Sequence, residues 1–152
     1  MINGLINGLI NGIVRALNKE FNAESDTYEI YKEEIKQGLQ EPAFFVQSIN
    51  PSMNLFLGKR YFQQAHILIQ YFPKSTNYLE ECTNMGDQLP WVIEWITCDG
   101  DSKPIHGYNM HSELVDGMLN FFVDYEFFIR KVENSDLMES MNLKQNVRKG
   151  DS

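Results

Sequence analysis

The stretch from Asp116 to Arg130 constrains the fold more than any other part of the chain. Apolar residues alternate with mostly polar ones along it, and the apolar positions are Leu119, Phe121, Val123, Tyr125, Phe127 and Ile129. Strict alternation over this length predicts a half-buried β-strand. Asp116-Gly117, immediately before it, is a two-residue hairpin signal. We therefore predict that residues 107–115 form its antiparallel partner strand.

The N-terminus predicts a helix. It repeats the sequence NGLI, and apolar residues fall at positions 2, 5, 6, 9, 10, 13, 14 and 17, the spacing of one helical face. Each Gly costs such a helix about 1 kcal/mol relative to Ala, so packing against a sheet has to stabilise it. A second interpretation is that the Gly and Asn residues let another backbone approach closely, for example that of a neighbouring subunit.

The middle of the chain predicts further strands and helices. Strands are predicted at 27–35, 43–49 and 61–72. Asn50-Pro51-Ser52 is expected to end the second of these strands. Residues 53–59 are predicted to be a short strand or an extended loop. Asn77 and Glu80 are typical of a capping box, and Gly86 and Pro90 predict a split into two short helices.

This order of elements indicates an α+β fold, a mainly antiparallel sheet with helices packed on one face. We expect one domain over residues 1–133 and a polar C-terminal tail over 134–152.

Composition excludes several classes of function. The chain of 152 residues has 13 basic and 21 acidic residues, a net charge of −8, which argues against binding nucleic acid through its phosphates. Cys82 and Cys98 are too few for a disulfide framework and are compatible with a reducing cytoplasm. No apolar run approaches the roughly 20 residues of a membrane span. We therefore expect neither specific nucleic-acid binding nor membrane contact.

No catalytic or metal site is predicted from the motifs. A zinc site needs about four convergent ligands, whereas the closest histidine pair, His106 and His111, would lie on opposite faces of a strand region. Phosphate-binding loops and nucleophile motifs are absent from the sequence. The sequence thus indicates a protein that is not an enzyme and has no cofactor or metal.

Charge is distributed unevenly along the chain. Residues 42–79 contain no acid and only Lys59, Arg60 and Lys74 as charges, whereas residues 80–126 contain ten acids and a single base, Lys103. One interpretation is a solvated acidic face without further meaning. The other is head-to-tail packing of subunits around a ring, where unlike patches meet, with Lys59 and Arg60 at the interface.

Several strings in the first half of the chain resemble one protein family. These are YEIY at 28–31, QGL at 37–39, EPAFF at 41–45, NPS at 50–52, LGKRYF at 57–62 and YFP at 71–73. Together they resemble the tail terminators of long-tailed phages and phage-tail-like particles of Gram-positive bacteria, over about residues 13–128. The resemblance does not cover the NGLI repeat or the C-terminal tail well.

The resemblance implies a structural protein with an α+β fold. Such terminators form a ring, usually a hexamer, that caps the tail tube, stops its polymerisation and joins it to the neck or head. In contractile tails, which the resemblance favours, the ring also holds the last sheath layer. The expected partners are therefore further copies of the chain, the tube protein, the sheath protein and a neck or head-completion protein. The expected location is a virion or a headless tail-like bacteriocin, as a collar component assembled in the bacterial cytoplasm.

A ring has a channel, and a negative wall would repel DNA. We expect part of the acidic set to face it, namely Asp99, Asp101, Glu113, Asp116 and Asp124. In the tail, Met141, Leu143 and Val147 share one edge of an extended chain. Residues 137–149 are therefore expected to engage a neighbouring subunit or the sheath, although a frayed end or pairing within the same chain stays open.

Two other functions remain alternatives. A neck or tail-completion adaptor would have the same size and acidity. A small metal- or ligand-dependent enzyme would have to use His66, His106 and His111.

Overall fold

The structure is a computed structural model that describes residues 4–32, 38–57, 60–100 and 103–130, with side chains described outside 50–62 and 128–130. Its two helices are α1 (Leu5–Phe21) and α2 (Tyr78–Ile93). Its strands are β1 (Glu29–Tyr31), β2 (Ala43–Leu57), β3 (Arg60–Phe72), β4 (Trp95–Ile96), β5 (Ile105–His106), β6 (Tyr108–Val115) and β7 (Met118–Arg130). The predicted α+β fold is confirmed.

The strands form two sheets. The larger has five strands in the order β1-β2-β3-β7-β6, and β4 and β5 make a two-stranded sheet. β1 pairs parallel to β2, while β6 pairs antiparallel to β7. The described residues fall into two compact units. The second consists of strand ends, at 53–57, 60–63 and 128–130. All sites discussed below belong to the first, within 4–52 and 64–127.

The predicted C-terminal hairpin is confirmed. Leu114 pairs with Leu119 and Val115 with Met118, which leaves Asp116 and Gly117 as the turn. Both turn residues have positive φ, 51° and 78°, the conformation that matches the right-handed twist of the flanking strands.

One face of the large sheet forms the core. Alternate residues of β3 and β7 are buried on it, namely Ala65, Ile67, Ile69, Tyr71, Leu119, Phe121, Val123, Tyr125 and Phe127. Both helices contact this face: the ring of Phe21 lies 5.4 Å from that of Phe44, and the hydroxyl of Tyr125 donates to the carbonyl of Ile93 at 2.6 Å. Burial of each large apolar side chain contributes about 1.5–3 kcal/mol, so this layer supplies most of the stability.

α1 confirms the predicted helix, and its contacts identify the backbone that lies close to its glycines. Gly8 and Gly12 are buried, and a Cβ on Gly12 would lie only 2.5 Å from the carbonyl oxygen of Thr97. The amide of Asp99 donates to the carbonyl of Gly8 at 3.3 Å. At these two glycines the approaching backbone therefore belongs to the same chain rather than to a neighbouring subunit.

α2 is a single helix, so the prediction of two short helices was wrong. Pro90 lies inside it, and the buried residues Cys82, Met85, Leu89 and Ile93 run past it without a break. Proline removes one donor, and continuous packing of this apolar stripe compensates for that loss. Asn77 is the N-cap, but its side chain makes no capping bond to the helix backbone; it donates to Glu80 at 2.7 Å instead.

β2 runs through Asn50-Pro51-Ser52, so the predicted break there was also wrong. β1 pairs only with residues 43–45 of β2, and no other strand of the described chain lies on that side of β2. Past residue 45 this side of β2 is thus an edge of the described sheet. The strand predicted at 27–35 is described only as Glu29–Tyr31, with 33–37 outside the described residues.

We expect Gly12→Ala to lower the free energy of unfolding by about 1–3 kcal/mol, because its Cβ would overlap rigid backbone. Gly8→Ala is the control, since its Cβ would meet Asp99 at 3.4 Å, and the better helix propensity of Ala could add up to about 1 kcal/mol. Urea unfolding measures both. Equal effects of the two substitutions would contradict the close approach at Gly12.

The carboxylate of Glu81 joins β3 to the start of α2. Burial alone would raise its pKa, but hydrogen bonds from the Tyr71 hydroxyl and the amides of Ser75 and Lys74 lower the pKa overall. A lowered pKa in the folded state means that ionised Glu81 stabilises the fold at neutral pH. This contribution is lost as the pH falls below the ordinary value of 4.5 and through the lowered pKa.

Glu81→Ala is expected to cost about 1–3 kcal/mol of unfolding free energy at pH 7. The difference from the unmodified chain should shrink as the pH falls below about 4.5. Denaturant unfolding across this pH range measures both effects. Glu80→Ala, which loses only the contact with Asn77, is the matched control, and an equal cost for it would refute the role of Glu81.

Candidate interaction surfaces

The second face of the large sheet is its open face among the described residues, because both helices lie on the first. Residues that alternate with the core are half-buried here, namely Gln64, His66, Leu68, Gln70, Asn120, Phe122, Asp124 and Glu126. A sheet face of this kind, partly apolar and lined by hydrogen-bonding groups, is suited to contact another protein.

Hydrogen bonds between side chains cross the open face. Gln47 donates to Gln70 at 3.0 Å, and Gln70 donates to Asn120 at 3.2 Å, which links β2, β3 and β7. Gln64 donates to the hydroxyl of Tyr108 at 2.7 Å, and Tyr108 donates to Glu126. Burial and the bond to Glu126 raise the pKa of Tyr108 to about 12, so this phenol stays protonated and keeps donating.

A cavity of about 640 Å³ opens on the same face. Its described lining consists of Ile49, His66, Ile67, Asn109, Met110, His111, Phe122 and Asp124. Nδ1 of His66 lies 2.8 Å from a carboxylate oxygen of Asp124, and Nδ2 of Asn109 donates to the other oxygen at 3.1 Å. The ring of His111 stacks on Phe122 at 4.7 Å.

A bulge in β6 positions one wall of this cavity. The β6–β7 register shifts between Tyr108 and His111, and Asn109 has φ of 54°. Asn and Asp tolerate this left-handed region better than other non-glycine residues. The bulge directs Asn109 to Asp124, and the described lining offers hydrogen bonds and apolar contact but no hydroxyl or thiol nucleophile.

The three histidines do not converge. His66 and His111 line the cavity, whereas His106 contacts Glu94 at 2.9 Å. His106 lies in β5 and His111 in β6, with Gly107 between the two strands. Within the described residues, no group of three or more His, Cys, Asp or Glu is arranged to hold a metal ion.

The acidic residues predicted to face a channel have separate surroundings. Asp99 accepts hydrogen bonds from Asn11 at 2.7 Å and from Arg15, and these bonds lower its pKa. Asp124 belongs to the cavity. Glu113 on β6 and Asp116 in the hairpin turn are exposed.

Other candidate residues lie outside what is described. Lys59, Asp101, Met141, Leu143 and Val147 are outside the described residues, and so is the side chain of Arg60, the first residue of β3.

Sequence reasoning missed two exposed tryptophans at the C-terminal end of α2. The side chain of Trp91 is 81% exposed and that of Trp95, in β4, is 58% exposed. The sequence does carry a signal for this. The two tryptophans are four residues apart, and neither belongs to the apolar stripe of the helix, so the helical periodicity could have placed both outside the core.

Comparison with known protein families identifies one family for this chain. The family model described as phage tail terminator protein matches residues 8–136. The chain belongs to this family. Tail terminators are structural proteins of phage tails, and membership implies contacts with other tail proteins. No curated protein matches the chain.

The family match confirms the resemblance found in the sequence and extends it toward both ends of the chain. Among the described residues, neither helix is long and apolar enough to cross a membrane.

Proposed function

We propose that this chain forms a ring, with hexameric stoichiometry, that caps the tail tube, stops its polymerisation and presents a joining surface to the neck or head. The match to phage tail terminators over residues 8–136 carries the proposal. The open sheet face supports it, because its half-buried polar residues and its cavity offer a surface for another protein.

The subunit interface is proposed to join unlike surfaces. Lys59 and Arg60 lie in the acid-free segment 42–79, and residues 80–126 carry a net charge of −9. Surface ion pairs contribute only about 0–1 kcal/mol each. The apolar groups of the open face, such as Leu68 and Phe122, would therefore supply most of the affinity, and charge would select the orientation.

The channel wall is proposed to be negative. Glu113 and Asp116 are the best candidates of the acidic set because both are exposed, and a hairpin turn projects from the sheet. Asp99 already pairs with Arg15, which partly compensates its charge, and Asp124 already accepts a hydrogen bond from Asn109 at the cavity. A negative wall would let DNA pass without adhering.

The tail, residues 134–152, is proposed to engage a neighbour through 137–149, either the adjacent terminator or, in a contractile tail, the last sheath layer. An extended segment can add to an exposed sheet edge.

Particles assembled without this protein test the proposed function. We expect tubes of uncontrolled length, because nothing would stop the addition of tube subunits, and electron microscopy of the particles measures the length distribution. Tubes of normal length that lack heads would instead identify a neck or tail-completion adaptor.

A structure of the ring on its tube tests the two assignments of charge. We expect Asp116 to face the channel and Lys59 and Arg60 to lie at a subunit or tube contact. Reversal of both bases to Glu is expected to lower incorporation into tails, with Lys74→Glu, a single charge reversal in the same acid-free segment, as a control. A hairpin turn directed away from the ring axis, or normal incorporation of the double variant, would refute the corresponding assignment.

A further inference from the structure

Trp91 and Trp95 expose large aromatic side chains at the C-terminal end of α2. They are the only two tryptophans of the chain, and their side chains are 81% and 58% exposed. Tryptophan is enriched among the residues that dominate protein interfaces. Trp91 lines a groove together with His106, and the ring of Trp95 contacts His106. Exposed aromatic area beside a groove indicates a site where another segment binds.

The backbone beneath these tryptophans is held firmly. The carbonyl of Ile93 accepts from Tyr125 at 2.6 Å, and that of Glu94 accepts from the amide of Gly107 at 2.7 Å. A Cβ on Gly107 would lie 2.8 Å from Val123, so glycine is needed for the close packing of this residue on β7. The end of α2 is therefore fixed to the sheet, and a rigid surface loses little entropy when it binds.

The residues that line a groove beside Trp91 determine which kind of segment can bind there. The groove has a volume of about 300 Å³, and its lining includes Pro90, Trp91, Glu94, His106, Tyr108 and Met110. The ring of Trp95 lies 4.6 Å from that of His106. Asp87, one helical turn before Trp91, is exposed. Because the groove is aromatic and its surroundings are acidic, a complementary segment has to be apolar and basic.

One segment of this chain has that composition. Residues 140–149, SMNLKQNVRK, contain Lys144, Arg148 and Lys149 but no acid. The same segment carries Met141, Leu143 and Val147 as apolar side chains. Lysine and arginine bind the faces of tryptophan rings through cation–π contacts.

We propose that Trp91, Trp95 and the adjoining groove, together the tryptophan surface, bind residues 140–149 of a neighbouring copy of the chain. This inference rests on the proposed function, since it names the surface that receives the tail within a ring. Such exchange would join unlike surfaces of successive subunits, as a closed ring requires.

Tryptophan fluorescence tests the proposal directly because both tryptophans belong to the surface. The purified full-length chain is titrated with a synthetic peptide of residues 140–149. We expect a saturable shift of the emission to shorter wavelength. A peptide with K144E, R148E and K149E should bind at least tenfold more weakly.

Chain variants separate the surface from the rest of α2. Trp91→Ala leaves Trp95 as the reporter and should weaken peptide binding at least tenfold. Leu79→Ala is the matched control, since Leu79 is 59% exposed at the other end of the same helix, and its binding should equal that of the unmodified chain.

Three results would overturn the proposal. One is the lack of a saturable shift, and another is equal binding of the charge-reversed peptide. The third is that the full-length chain, without peptide, already emits at the shorter wavelength, and that this emission changes with neither peptide nor chain concentration. That result would mean that residues 140–149 bind the tryptophans of their own subunit. None of these affects the tube lengths that test the capping function, so the two failures are distinguishable.

Discussion

Burial of a single face of the five-stranded sheet under both helices is the constraint on which the rest of the structure depends. The buried positions of β3 and β7 face α1 and α2 through contacts such as that of Tyr125 with Ile93. Since the helices occupy only this face, the other face of the described sheet remains for partners. The interaction surfaces of the molecule therefore follow from the way its core is made.

The open face combines two properties that a structural subunit needs. Hydrogen bonds between neighbouring strands, such as that of Gln47 with Gln70, order the polar side chains before any partner binds. Half-buried Leu68 and Phe122 provide apolar area between them. Ordered polar groups give orientation and apolar area gives affinity, which together suit repeated contacts between subunits.

Glycine at two close approaches keeps the helices at their positions. Gly12 lets α1 contact the backbone of Thr97, and Gly107 lies close to the side chains of Val123 and Tyr125 while its amide donates to Glu94 at the end of α2. Asn11 and Arg15 then bind Asp99 from the exposed side of α1. One consequence is that Asp99, a candidate for the channel wall from its charge alone, has a role in holding the N-terminal helix.

The sequence by itself determined the local elements whose signal is short-range. Alternation predicted β7, Asp116-Gly117 predicted its hairpin, and the NGLI repeat predicted α1, because each pattern depends only on which face of one element is buried. The strings shared with tail terminators also sufficed for the family. Only the tertiary structure decided that β2 continues past Pro51 and that α2 continues past Pro90, where packing of the apolar stripe compensates for the missing donor. It also decided that His66, Asn109 and Asp124 meet at one cavity, because residues this far apart in sequence are brought together by strand order and a bulge, which leave no periodic trace in the sequence.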